Sequence, residues 1–270
     1  ISTAGMEQMK DAIVRAVQRL AHARIIVLKN DGKMRKVEGL DTYVEFAHGP
    51  EADTVLVEEN GARFEVPLAG GQKTGWFYDH RMNRQRLQAY APGKKVLDVF
   101  SYVGGWGIQA ACAGASQVTC VDASSSAVDA VHHNAKLNGL ENVDTIEGDA
   151  FDALKALADE KEKFDIVVLD PPALIPRRRD QKAGEQAYAR LNQLGLRLLE
   201  RDGLLVSASC SMHLSQEKLI DIIRGSGRKI DRFVQLLEQG HQAPDHPIVP
   251  GIPETDYIKS CFVRSLTGFL

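Results

Sequence analysis

The sequence predicts an α/β protein: a doubly wound, mostly parallel sheet of seven strands, preceded by a small α+β domain. Three features carry that expectation. From Lys95 onward, apolar runs alternate with segments of helical spacing, the pattern of a sheet covered by helices. The run Lys95-Val96-Leu97-Asp98-Val99-Phe100 leads into Ser101-Tyr102-Val103-Gly104-Gly105-Trp106-Gly107, a buried strand turning tightly into a helix. Three further runs, Gln117–Asp122, Asn142–Asp149 and Phe164–Asp170, end in aspartate. In an open α/β sheet the carboxyl ends of the strands form the ligand crevice, so Asp98, Asp122, Asp149 and Asp170 are expected on one rim.

Composition narrows the classes. The 270 residues suffice for one large domain, or a large one and a small one. A 44% hydrophobic content without repeats or low-complexity tracts describes a globular chain. No apolar run reaches the roughly 18–20 residues of a membrane span, and no signal-peptide pattern is present. Cys112, Cys120, Cys210 and Cys261 lack C-x-x-C spacing, which predicts neither a metal site nor a disulfide framework and fits a reducing cytoplasm. A net charge of −3 makes no global demand for a polyanion, so any polyanion must meet a local patch. The chain opens Ile1-Ser2-Thr3 without Met, which reads as a piece of a longer protein.

Taken in order, apolar residues at Met6, Met9, Ile13, Val17 and Leu20 predict an amphipathic helix over Met6–Leu20. Arg24–Leu28 reads as a strand, followed by a basic turn with Lys29, Lys33, Arg35 and Lys36. Thr54–Glu59 and Ala62–Pro67, split by Asn60-Gly61, give the clearest hairpin signal. Residues 1–70 thus form the predicted small domain, assigned to substrate recognition, and residues 71–270 the sheet domain. Gly70 to Arg84 reads as a loop entering a helix that runs to about Tyr90, stopped by Pro92-Gly93. Helices are then expected over Gly105–Ala113, Ser124–Asn138, Ala150–Ala158, Ala183–Leu199 and Ser215–Arg224. Strands are expected over Val118–Asp122, Val143–Glu147, Phe164–Asp170 and Gly203–Ser209, with an antiparallel closing pair over Lys229–Glu238 and Tyr257–Val263.

The acidic rim discriminates between ligands. A dinucleotide brings a pyrophosphate, favoured by a G-x-G-x-x-G turn that this chain lacks. S-adenosyl-L-methionine carries a sulfonium, an ammonium, ribose hydroxyls and an adenine amine, and no phosphate. One strand-end aspartate is readily a helix cap, but four on successive strands suit such a cation.

Two further strand ends carry chemistry. Asp170-Pro171-Pro172 holds a rigid, donor-poor backbone against which a planar substrate can lie. Enzymes that methylate amines commonly place an aromatic residue next; Ala173 stands here. Ser209-Cys210-Ser211 puts a thiol on the same rim. A thiol suits one particular need: carbon 5 of a pyrimidine becomes nucleophilic only after a thiolate adds at carbon 6, and that thiolate must later leave.

Gly71-Gln72-Lys73-Thr74-Gly75, Asp79-x-Arg81, Phe100-Ser101-Tyr102-x-Gly104-Gly105, Asp170-Pro171-Pro172, Ser209-Cys210-Ser211 and Asp245-His246-Pro247 occur together and in this order. This set resembles the bacterial large-subunit ribosomal RNA cytosine-5 methyltransferases over essentially the whole chain. The resemblance implies the class I S-adenosylmethionine-dependent methyltransferase fold, a Rossmann-like seven-stranded sheet. Family members carry an N-terminal PUA RNA-binding domain, which this chain is expected to lack. It implies Cys210 as nucleophile and Asp170 as the residue orienting the base. It also implies cofactor contacts from Lys73 and Thr74, Asp79, Asp98, the turn with Phe100, Ser101, Gly104 and Gly105, Asp122 with Ala123 (ribose hydroxyls), Asp149 with Ala150 (adenine amine), and Asp170. Relatives often have Lys after the two prolines, so Ala173 marks a departure beside the substrate.

A base must remove the carbon 5 proton; Glu254 is the candidate, with Asp170 or a water as competitors. Arg177, Arg178, Arg179 and Lys182 follow the Asp170 strand and form the basic patch expected to meet RNA phosphates. Carbon 5 is accessible only in an extruded base, so a single-stranded or unfolded target is expected. The pattern leaves a homodimer open. The competing readings are a guanine or amine methyltransferase with a structural Cys210, a dinucleotide-dependent oxidoreductase, and a noncatalytic RNA-binding module.

Overall fold

A computed structural model describes residues 1–69 and 75–267 of the chain. Contacts divide it into two compact units, residues 1–57 with 65–77, and residues 58–64 with 78–270.

In the first unit, the helix expected over Met6–Leu20 is two, α1 (Ala4–Gln8) and α2 (Lys10–Ala21). They part at Met9, whose φ/ψ of −96°/6° lies outside the helical range. Strand β1 (Ile26–Asn30), helix α3 (Met34–Val37) and strand β2 (Tyr43–His48) follow, with β1 and β2 paired antiparallel. The cationic stretch that reads as a turn hides a core residue. Arg35 is buried, donating to Glu7 Oε2 at 2.8 Å and to the Asp41 carbonyl at 2.7 Å. The Arg35 bond, with one from the Tyr43 hydroxyl, pulls the Glu7 carboxyl down to about 2. A buried guanidinium needs such partners, and the sequence conceals the Glu7 pairing because it spans 28 positions.

The hairpin forms where expected, as β3 (Thr54–Glu59) and β4 (Ala62–Pro67). Asn60 and Gly61 turn it with φ of 51° and 82°, the left-handed pair a tight two-residue hairpin requires.

In the second unit, a single turn over Tyr78–His80 leads into α4 (Arg81–Tyr90). Strand and helix then alternate through β5 (Lys95–Val99), α5 (Gly105–Cys112), β6 (Gln117–Asp122), α6 (Ser125–Leu137), β7 (Val143–Glu147), α7 (Ala150–Asp159) and β8 (Phe164–Leu169). The remainder is α8 (Gln181–Leu198), β9 (Leu199–Ser209), α9 (Gln216–Arg228), β10 (Arg232–Gly240) and β11 (Lys259–Thr267). The seven-stranded sheet has the order β10-β11-β9-β8-β5-β6-β7. The strands from β5 to β9 run parallel, while β11 runs antiparallel to β9 and β10.

The strand order puts the reversal between β5 and β8, because the chain winds outward from β5 to β7 and then returns to the other side. Ligands of such sheets bind at that switch point. The core below it joins Leu97, Val99, Val167, Leu169 and Leu205 to Leu154, Tyr188, Leu191 and Leu219 on the covering helices.

Helix α5 packs so closely on the sheet that a Cβ at Gly107 would lie 2.6 Å from Cys120 Sγ and 3.0 Å from Val118 Cγ1. Gly107→Ala is therefore expected to destabilise the protein by about 1–3 kcal/mol through overpacking. Urea denaturation measures this, and Cys120→Ala in the same chain should recover part of the loss by removing the opposing sulfur.

Candidate active site

Each carboxylate on the rim is held by N–H donors of the chain itself. Asp98 is fully buried on β5, and its Oδ2 accepts from the Gly107 N–H at 2.8 Å. Asp122 at the end of β6 accepts from Tyr102 N at 2.9 Å and Ser124 N at 3.0 Å. Asp149 caps α7, its Oδ1 accepting from Phe151 N and Asp152 N. Asp170, just past β8, accepts from Trp106 Nε1 at 2.9 Å. The turn after β5 is strained: Phe100 and Tyr102 both take left-handed φ, 66° and 49°, before Gly104 at 86°. Non-glycine residues in that region cluster at functional sites, where surrounding contacts hold the strain.

Burial pushes the Asp98 carboxyl up to about 7, and the neighbouring Asp170 and Asp122 carboxylates push the same way. The Gly107 N–H and the Arg84 guanidinium oppose them. Arg84 is itself buried, bonded to Glu59 at 2.6 and 3.0 Å.

A second cluster surrounds the end of β9. Ser209 and Ser211 are buried on either side of the half-buried Cys210. The Tyr188 hydroxyl bridges the two serines at 2.8 and 3.0 Å, and the Ile175 N–H donates to Ser211 Oγ. That last bond ties the segment after Asp170-Pro171-Pro172 to the Cys210 segment. Lys259, at the start of β11, pairs with Ser209 across the ladder. Its buried ammonium donates to the Ser211 carbonyl at 2.8 Å and the Tyr257 carbonyl at 3.0 Å. Burial lowers the Lys259 ammonium below its usual range, with Asp256 and Cys210 opposing the shift. The Lys259 ammonium thus lies within electrostatic reach of Cys210.

Motif residues far apart in sequence meet here. Asp79 Oδ2 accepts from the Tyr257 hydroxyl at 3.0 Å. Arg81 lies 3.4 Å from Asp245, and His80 Nε2 lies 3.5 Å from Asp170 Oδ1. Lys259, His80 and Tyr257 escape sequence reasoning because each acts through a partner 48 to 178 positions away.

Other expected residues are exposed or lie outside the described residues. Glu254 sits exposed on a one-turn helix, Pro253–Thr255. Arg177 and Arg179 are exposed and lie 2.9 and 3.9 Å from Asp180, while Arg178 and Lys182 face solvent. Lys73 and Thr74 lie outside the described residues. A cavity of about 690 Å³ opens beside Met212 and Lys259, lined also by Gln216, His241, Val249 and Ile258.

Residues 6–252 match the model of the family described as S-adenosylmethionine-dependent methyltransferase. The chain belongs to that family. It is 37% identical over 268 residues to the ribosomal RNA large subunit methyltransferase I of Aeromonas salmonicida, covering 98% of this chain and 68% of that one. The enzyme of the same name from Klebsiella pneumoniae is 36% identical, covering 97% and 66%. Among solved structures, a SAM-dependent methyltransferase from Streptococcus mutans superimposes with a TM-score of 0.81 at 24% identity, over 97% of this chain and 66% of that one. A tRNA m1G37 methyltransferase of M. jannaschii does so with 0.68 at 17%, over 99% and 71%. These two likenesses establish the class I methyltransferase fold.

The residues of this methyltransferase fit S-adenosylmethionine, its cofactor. Asp98 Oδ1 and Asp79 Oδ1 are buried with no hydrogen-bond partner among the described residues. Orphaned acceptors of this kind suit a ligand rich in positive charge and N–H or O–H donors.

Because the folded Asp98 carboxyl lies near 7 and its ordinary value is 3.8, this group binds its proton more tightly in the folded state. Its contribution is fully favourable below about pH 4, and stability is lost as pH rises from there to about 7. Asp98→Asn keeps an acceptor for Gly107 N–H and removes the charge. Thermal unfolding should show the variant gaining on the parent from pH 4 to pH 7, with a constant difference above that.

Proposed function

We propose that the protein methylates carbon 5 of a cytosine in large-subunit ribosomal RNA, with Cys210 as nucleophile. The observation that carries this reading is the placement of Cys210 and Asp170 at the ends of the adjacent parallel strands β9 and β8. The names of its relatives support the ribosomal RNA target.

The chemistry follows from the residues. When bound, S-adenosylmethionine supplies an electrophilic methyl group on a sulfonium. Cys210, favoured as thiolate by Lys259, forms a bond to carbon 6 of the base. The displaced π pair moves onto the C5=C4–N3 system and N3 takes a proton from water, so carbon 5 becomes enamine-like. Asp170 holds the polar edge of the base by accepting from its exocyclic amine. Once carbon 5 has gained the methyl group, a base takes its proton, the C5=C6 bond re-forms, Cys210 leaves as thiolate, and N3 returns its proton to water. Glu254 is the candidate for that base, with Asp170 and a water as the alternatives. The dense hydrogen bonding of Ser209 and Ser211 around Tyr188 holds the nucleophile's backbone while the bond forms and breaks.

Asp79, Asp98, Asp170, the turn with Phe100, Ser101, Gly104 and Gly105, Asp122 with Ala123, and Asp149 with Ala150 hold the cofactor in this reading. Asp122 faces its ribose hydroxyls and Asp149 its adenine amine; Lys73 and Thr74 complete the set. Arg177, Arg178, Arg179 and Lys182 meet phosphates of an unpaired segment from which the base is extruded. The α+β unit contributes to choosing that segment.

Cys210→Ala should abolish methyl transfer to protein-free large-subunit RNA while leaving cofactor affinity intact by calorimetry. Normal methylation by the variant would end the covalent mechanism, and nucleoside analysis showing methylguanine would end the cytosine assignment. Replacing Arg177, Arg178 and Arg179 by alanine together should weaken RNA binding and flatten its salt dependence by a slope of about 2. An unchanged slope would place the phosphates elsewhere.

A further inference from the structure

A histidine at the site has no role in the chemistry above. His80 ends the turn before α4, buried to 4% exposure, with its ring packed on Trp106 at a centroid distance of 5.4 Å. Its Nδ1 lies 3.2 Å from Asn83 Nδ2. The orientation of the Asn83 amide is fixed from both sides. Arg86, which can only donate, lies 3.1 Å from Asn83 Oδ1, and the His241 carbonyl, which can only accept, lies 3.1 Å from Asn83 Nδ2. The amide nitrogen therefore faces the imidazole, Nδ1 accepts, and the ring proton sits on Nε2.

That Nε2–H is buried and makes no hydrogen bond among the described residues. What it faces is Asp170 Oδ1 at 3.5 Å, while Trp106 Nε1 already holds Asp170 Oδ2 at 2.9 Å. A side chain that merely filled space against Trp106 would not leave an N–H orphaned in the interior. Contacts of catalytic groups are commonly long before substrate enters and tighten afterwards.

We infer that His80 is a positioning residue for Asp170, its Nε2–H closing on Oδ1 as the base enters so that both carboxylate oxygens are fixed by ring N–H donors. The inference rests on the reading of Asp170 as the residue that orients the base. With Trp106 on one oxygen and His80 on the other, the carboxylate cannot rotate. Its remaining lone pairs are presented to the substrate as acceptors in one plane. Asn83 sets the tautomer, so a signal beginning at Arg86 and His241 ends at the substrate-facing acid.

The test uses the full chain, labelled S-adenosylmethionine and protein-free large-subunit ribosomal RNA. His80→Phe keeps the ring packing and removes the donor; it should lower kcat by about tenfold or more with thermal stability unchanged. His80→Gln, which can donate from near the Nε2 position, should restore most of the lost kcat. In an Asp170→Asn background, His80→Phe should cost nothing further, since the carboxylate it positions is gone. Parental kcat in His80→Phe alongside an impaired Asp170→Asn overturns the inference and spares the reading of Asp170. Parental kcat in Asp170→Asn overturns that reading itself. A His80→Phe defect that tracks lower thermal stability, without rescue by Gln, marks a structural role and also overturns the inference.

Discussion

The constraint on which this structure depends is the gathering of negative charge at the carboxyl ends of parallel strands. Asp98, Asp122 and Asp170 lie close enough that each of the other two raises the Asp98 carboxyl. Carboxylates so placed would repel unless donors of the same chain held them. The donors come from the turns and the helix that follow the strands: Tyr102 and Ser124 by their backbone, and on α5 Gly107 by its backbone and Trp106 by its indole. The strained turn at Phe100 and Tyr102 is what aims the Tyr102 amide at Asp122. Acids solvated by fixed dipoles need no reorganisation when a cation arrives.

The thiol end of the site is built on a different principle. The serines on either side of Cys210 are bridged by the Tyr188 hydroxyl, and the Lys259 ammonium donates to the Ser211 carbonyl. Lys259 is buried on an antiparallel strand that enters the sheet last, so the reversal of β11 delivers a cation beside β9. Asp170 accepts from Trp106 on α5 and faces His80, which ends the turn before α4. One acid thus joins helix α5 to the turn before α4.

Much of the fold is legible in the chain because its strands are short apolar runs bounded by strong breakers. Asn60-Gly61 fixes the hairpin to the residue, and Pro92-Gly93 clears the way for β5. What is not legible has local causes. β9 starts at Leu199 rather than Gly203, because Phe164 pairs with Leu199 before the register shifts to Ile166 and Leu204. The charged Glu200-Arg201-Asp202 interrupts the apolar pattern there, and Asp202 takes a left-handed φ of 61°. β2 and α3 are hidden by charge, since Arg35 reads as a solvated cation until its partners are known.

By itself, then, the sequence determined the alternation of strand and helix, the acids at strand ends, and the thiol flanked by serines. These depend on residues within one or two turns of each other, where spacing alone dictates burial and direction. Only tertiary structure decided which of those groups meet. His80 and Asp170 are 90 positions apart, and Lys259 reaches Ser211 across 48. Such pairs arise from the order in which strands enter the sheet, a choice made by the whole core rather than by any one segment.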